Sequence, residues 1–241
     1  MSASTPTSHF AATRWSIVLA AGNWQSATSA RRAMRDLAAL YWFPLYAYLR
    51  RKGHASAPAQ DLVQGFFLHL LEHDALATID RSKGKFRSFL LACLNNFLAN
   101  ERDQALAQKR GGGQTPLSLD TSDAESRYAS EPPDNLTPER AYERRWAWGI
   151  LDHVLAQLRA TYHAAGKGAL FDALKGTLTS SADAPDYDRL AAELRMTKSA
   201  LQVAAHRLRR RYRELLRDQI AQTVASPDLI DDEIAYLLSC L

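Results

Sequence analysis

Residues 195–217 hold the densest set of side chains capable of recognition chemistry. Eight are basic (Arg195, Lys198, Arg207, Arg209, Arg210, Arg211, Arg213 and Arg217) against one acid, Glu214, a local charge of +7. Guanidinium groups at this density pair with phosphates, while Ser199, Gln202 and His206 between them can hydrogen-bond to base edges. The apolar residues Leu201, Ala205, Leu208, Tyr212 and Leu215 recur in steps of 4, 3, 4 and 3. That spacing predicts a helix with one buried face, beginning after Thr197 as N-cap. Ser199, Gln202, Val203, His206 and Arg210 then lie away from the buried face. Leu190, Ala191 and Leu194 mark a shorter helix upstream, with a turn at 195–197. Two short helices, a tight turn and an exposed polar start to the second predict a helix-turn-helix. Its expected DNA contacts are Lys198, Ser199, Gln202, Val203, His206, Arg207, Arg209, Arg210, Arg211 and Arg213. A basic run alone reads as a solvated face or a charged coiled-coil flank; the turn and preceding helix favour DNA.

Catalytic patterns are weaker. His69-Leu-Leu-Glu-His73 has the spacing of two zinc-binding imidazoles one helical turn apart with a carboxylate between. Two histidines lack the third ligand a catalytic metal needs. Gly166-Lys167-Gly168 lacks the upstream glycine and following Ser/Thr of a phosphate-binding loop. No nucleophile, base and orienting group stand together, so neither enzyme activity nor a cofactor or metal is expected. Cys93 and Cys240 cannot build a disulfide framework or a four-thiolate site.

The elements that must position these residues are helical. Apolar residues recur at steps of three and four outside one central stretch, so the expected fold class is all-α. With 241 residues the chain has room for two small domains. Residues 1–110 form the first, containing aromatic-rich 37–51, a helix from Pro58 to Leu71, and a stripe of Phe86, Phe89, Leu90, Cys93 and Phe97. Arg87, Asn95, Asn96, Asn100 and Arg102 are expected on the polar face of that third helix. Residues 111–136, rich in Gly, Pro, Ser and Asp, read as a flexible linker more than as a loop laid over one domain. The second domain, 137–220, opens with Thr137 as N-cap, Pro138 and Glu139. An acidic tail, 221–241, reads as a solvated terminal helix. Net charge is +4 overall, but residues 117–139 carry −5 and the tail −4. No apolar run reaches the length of a membrane helix and no signal peptide is evident, so a soluble, cytoplasmic protein is expected.

The order of these pieces resembles the extracytoplasmic-function sigma factors, promoter-recognition subunits of bacterial RNA polymerase. Residues 59–71 resemble the family's core-binding helix in region 2, and 86–102 resemble the helix that opens and reads the −10 element. Residues 187–213 resemble the −35 reader of region 4. The N-terminal Phe10-Ala-Ala-Thr-Arg-Trp-Ser segment and the tail are similar to those of a long-form subgroup. The resemblance implies two helical domains, regions 2 and 4, joined by a linker. It implies core RNA polymerase and promoter DNA as partners. Polymerase contacts would fall on Asp61, Leu62, Gln64, Phe66 and His69, with Val63, Phe67 and Leu70 in the core. Asn95, Asn96, Asn100 and Arg102 would capture an opened strand, with Lys109 and Arg110 on phosphates and Phe97 inside.

Three departures stand against the family pattern. Pro58, Ala59, Gln60 and Asp61 replace an acidic run at the start of the core-binding helix. Phosphorylation by a Ser/Thr kinase can supply missing negative charge, and Ser56 is the candidate acceptor. Arg195 occupies the turn position usually held by Gly, and residues 160–186 are longer than the usual spacer. An anti-sigma factor, a kinase and the chain's own tail are the alternatives for control. A helix-turn-helix regulator that never joins polymerase is the competing reading of the whole chain.

Overall fold

A computed structural model describes residues 27–72, 85–107, 124–129, 135–178 and 186–241. Every regular element among them is helical. The helices are α1 (Ala27–Arg51), α2 (Ser56–Glu72), α3 (Phe86–Ala107), α4 (Ala124–Ala129), α5 (Pro138–Ala164), α6 (Gly168–Leu174), α7 (Tyr187–Leu194), α8 (Lys198–Ala221) and α9 (Ile230–Ser239). Short 3-10 turns cover Lys175–Leu178 and Pro227–Leu229. No described helix is long and apolar enough to cross a membrane.

The chain divides into two compact units. One contains the described residues up to Trp146 together with Ala221–Leu241; the other contains the described residues of 147–220. This division keeps the expected end of the second domain at 220 but moves its start from 137 to 147. The start of α5 and the whole C-terminal segment belong with the first unit, and burial of aromatic and charged groups there explains why.

The first unit is built on aromatic rings. Tyr41, Leu45 and Leu49 of α1, Val63, Phe67 and Leu70 of α2, and Phe86, Leu90 and Leu94 of α3 are fully or nearly fully buried. Tyr41 meets Phe86 edge-on at 5.4 Å. The turn from α1 to α2 uses Gly53 at φ +93°, with His54 N–H bonded to Leu49 O. This left-handed residue caps the end of α1 and reverses the chain into α2.

Two expectations fail here. The tail is not solvated: Ile230, Glu233 and Leu237 are buried, and the Phe86 amide donates to Thr223 O. The linker is not unstructured throughout, because α4 packs against α1. Tyr46 donates its hydroxyl proton to Glu125, Arg50 pairs with the same carboxylate at 3.1 Å, and Tyr128 meets the Tyr46 ring edge-on. Three contacts from a six-residue helix compensate for its low intrinsic stability. Residues 111–123 and 130–134 of the expected linker lie outside the described residues.

In the second unit, Ile150, Val154 and Leu158 of α5 are fully buried, as are Leu201, Ala205 and Leu208 of α8. At the start of α5, which belongs to the first unit, Thr137 is the cap as expected, its hydroxyl accepting from Arg140 N–H at 3.3 Å.

Candidate nucleic-acid interface

The basic segment folds as its spacing predicts. Asp186 caps α7, its carboxylate accepting from the amides of Asp188 (3.2 Å) and Arg189 (3.1 Å). Leu190 anchors that helix in the core. Arg195 ends it in the left-handed region at φ 52°, ψ 43°. Met196 N–H bonds to Ala191 O and Arg195 N–H to Ala192 O, the same closing pattern found at Gly53 and Gly166. The tight turn therefore forms without glycine. Thr197 then caps α8 through Ala200 N–H at 3.2 Å.

On α8 the faces separate cleanly. Leu201, Ala205, Leu208 and Leu215 point inward and Tyr212 is half-buried. Ser199, Gln202, Val203, His206, Arg207, Arg210, Arg211 and Arg213 are exposed. Their charges are not equally available. Lys198 is bound to Asp188 at 2.7 Å, which ties the start of α8 back to α7 and raises the lysine pKa through that hydrogen bond. Arg210 and Arg211 share Glu214 at 2.9 and 3.2 Å, holding its carboxyl below the ordinary value. Arg209 departs from its predicted place on the exposed face. It is half-buried and its Nε donates to Thr177 O at 3.3 Å, because it lies one helical turn after the buried Ala205 and so borders the buried face. Among the described residues, no ion pair engages Arg207 or Arg213.

The second candidate surface lies on α3. Asn96, Asn100 and Arg102 are exposed, with Asn96 and Asn100 one turn apart on one face. Asn95 is half-buried and already engaged: its carbonyl accepts from Tyr48 Oη at 2.9 Å and Lys52 Nζ at 3.2 Å. Lys52 and His54 were not legible as part of this surface, since only folding brings the α1–α2 turn beside α3. The His54 pKa is lowered by burial first and then by Arg102 and Lys52, so Arg102 sits in a locally cationic patch. Arg87 does not join the polar face; it is buried. Lys109 and Arg110 lie outside the described residues.

On α2, Asp61 is exposed, while Leu62, Gln64 and His69 are half-buried. Phe66 corrects the expectation of an exposed anchor. It is fully buried, with its ring 5.9 Å from Phe67 and 5.8 Å from Phe97. Phe97 of α3 covers the ring from the neighbouring helix, so α2 hides more apolar surface than one face of an isolated helix would. His69 packs beside Phe97 at 5.4 Å, and His73 lies outside the described residues. Ser56 opens α2 with its Oγ 2.9 Å from Tyr46 Oη, next to Glu125.

Compared with known proteins, the chain matches no family model, no curated protein and no solved structure.

Proposed function

We propose that this chain directs RNA polymerase to promoters as a sigma-type initiation subunit. The observation that carries the DNA-binding part is the α7–turn–α8 geometry, which leaves Ser199, Gln202, Val203 and His206 exposed on the first three turns of α8. In this reading those residues enter the major groove and read the −35 element. Gln202 has the fork geometry for an adenine edge, and Arg207, Arg211 and Arg213 bind phosphates. Lys198 and Arg209 act differently: bound to Asp188 and Thr177, they hold the reading helix in place.

The α3 surface captures a base from the opened −10 strand through Asn96 and Asn100, with Arg102 drawing in the backbone. Asn95 positions Lys52 beside them. Asp61, Leu62, Gln64 and His69 form the polymerase contact. The resemblance of residues 59–71 and 86–102 to region 2 supports this half of the reading.

Run-off transcription with purified core polymerase and a library of promoters tests it. Promoter-specific transcripts that need this chain are expected, and Gln202→Ala should change the preferred −35 sequence by about 1–3 kcal/mol at one base pair. Duplex binding without any complex with core polymerase would instead establish the free-standing helix-turn-helix regulator.

A further inference from the structure

A cleft of about 570 Å³ opens in the second unit between the end of α5, the Gly166 turn, the α7–α8 turn and α8. Leu170, Met196 and Val203 give it an apolar lining, and the Tyr162 side chain adds an aromatic wall. Its charged lining residues among those described are Lys167 and Arg207, both cations and both exposed. No ion pair among the described residues engages either one. Gly166 at φ +68° and the Lys167 N–H bond to Tyr162 O at 2.8 Å hold the lysine at the cleft edge.

We propose that this cleft binds a small amphipathic anion, a carboxylate, sulfonate or phosphate carried on a flat apolar body. The volume is in the range of small-molecule sites, and those sites combine an apolar lining with a few charged groups that orient the ligand. Two cations, with no acidic residue in the cleft lining, select a negative head group. The apolar wall selects the body, which a sugar–phosphate backbone would not cover. The site is independent of the promoter reading. One consequence rests on that reading: Val203 and Arg207 also belong to the proposed DNA face, so an occupied cleft weakens duplex binding, and DNA weakens ligand binding by the same factor.

The full-length chain is titrated calorimetrically with naphthalenesulfonate and its neutral partner naphthalenesulfonamide, in the absence of DNA. The sulfonate should saturate one site about tenfold or more tightly than the sulfonamide, the scale of one charge-assisted contact. Lys167→Gln with Arg207→Gln should abolish that preference while leaving thermal unfolding unchanged, since both side chains are exposed. Met196→Ala should weaken both ligands together. No saturable binding, or a preference that survives the double variant, overturns the site. Repeating the titration with duplex present tests the coupling: sulfonate affinity unaffected by bound duplex overturns the competition, whereas failure of the DNA-free titration overturns the cleft itself.

Discussion

Arg87 and the pair Arg210–Arg211 are the same residue type facing the same kind of acid, with opposite outcomes. The Arg87 guanidinium is paired with Glu233, and their side chains are 4% and 1% exposed. Its faces lie against Trp146 at 4.5 Å and Tyr236 at 4.4 Å. Lys85 reaches the same carboxylate at 2.7 Å, and the Tyr142 hydroxyl donates to Arg87 O at 3.0 Å. Arg210 and Arg211 share Glu214 in the open, with side chains 75% and 49% exposed. Water screens the second arrangement and cannot reach the first. The buried pair therefore fixes the C-terminal helix to α3 and α5, while the exposed one leaves charge that a ligand can claim. Charge type alone distinguishes neither case; burial decides whether an ion pair holds the fold or serves a partner.

The largest expected effect follows from removing the buried acid. Glu233→Ala leaves Arg87 enclosed by rings and should destabilise the first unit by about 3–5 kcal/mol, measured by chemical denaturation. Replacing both partners, Arg87→Met with Glu233→Leu, should recover most of that loss, because no buried charge is orphaned and the 40% exposed Lys85 can turn to water. A single variant as mild as an exposed one would mean that burial does not separate the two ion pairs.

Arg195 sharpens the contrast from another side, since it is a cation held in a backbone region that favours glycine. Gly53 and Gly166 occupy the equivalent place in two other helix-ending turns, at φ +93° and +68°. Arg195→Gly relieves a cost of about 1–2 kcal/mol for a left-handed residue with a Cβ, offset in part by the freedom glycine has when unfolded. The thermal midpoint should rise modestly. If Arg195 meets a phosphate, the same variant should lower the salt slope of duplex binding by about one unit. A gain in stability together with a loss in binding would show that the turn keeps arginine for its charge.

Between the two extremes lies Glu125, paired with Arg50 yet 43% exposed. Its carboxyl is held below the ordinary 4.5 first by the Tyr46 hydroxyl, then by Ser56 and Arg50. A depressed carboxyl pKa contributes stability that is complete above the unfolded value and is lost as pH falls through the folded one. Docking of α4 on α1 should therefore weaken below about pH 4.5, and Glu125→Gln should remove that dependence. The Tyr128 environment, followed by NMR, reports the change. A profile unaltered by Glu125→Gln would assign the acid transition to another carboxylate.

These cases also mark how far the sequence could be read. Within α8 the partners are neighbours, so spacing predicted the buried Leu201, Ala205 and Leu208 and the exposed Gln202 and His206, and hydroxyl chemistry predicted the caps at Thr137 and Thr197. Val63, Phe67 and Leu70 were legible as core for the same reason. Arg87 looks like a surface residue in the sequence because its partner Glu233 lies in a tail far along the chain, and local polarity carries no information about such a pairing. Phe66 failed similarly: its burial depends on Phe97, contributed by another helix. Asn95 has the right residue type for base capture, but Tyr48 and Lys52 claim its carbonyl from across the fold. The linker's composition is poor in apolar surface, yet the docking of α4 rests on hydrogen bonds and ring contacts that composition does not reveal.

Glu214 provides the smallest effect on stability and the most direct test of what the exposed arginines are for. Its pairs with Arg210 and Arg211 are solvent-screened, so Glu214→Ala should leave the unfolding midpoint unchanged within error. Binding should respond differently, because the substitution frees two guanidinium groups on α8. If those groups meet DNA, duplex affinity at low salt should rise and the salt slope should steepen by about one unit for each arginine that gains a phosphate. An unchanged slope would mean that Arg210 and Arg211 face away from the nucleic acid. In that case the interface would shrink to the side of α8 bearing Gln202, His206 and Arg213, and the +7 of residues 195–217 would overstate the charge offered to DNA.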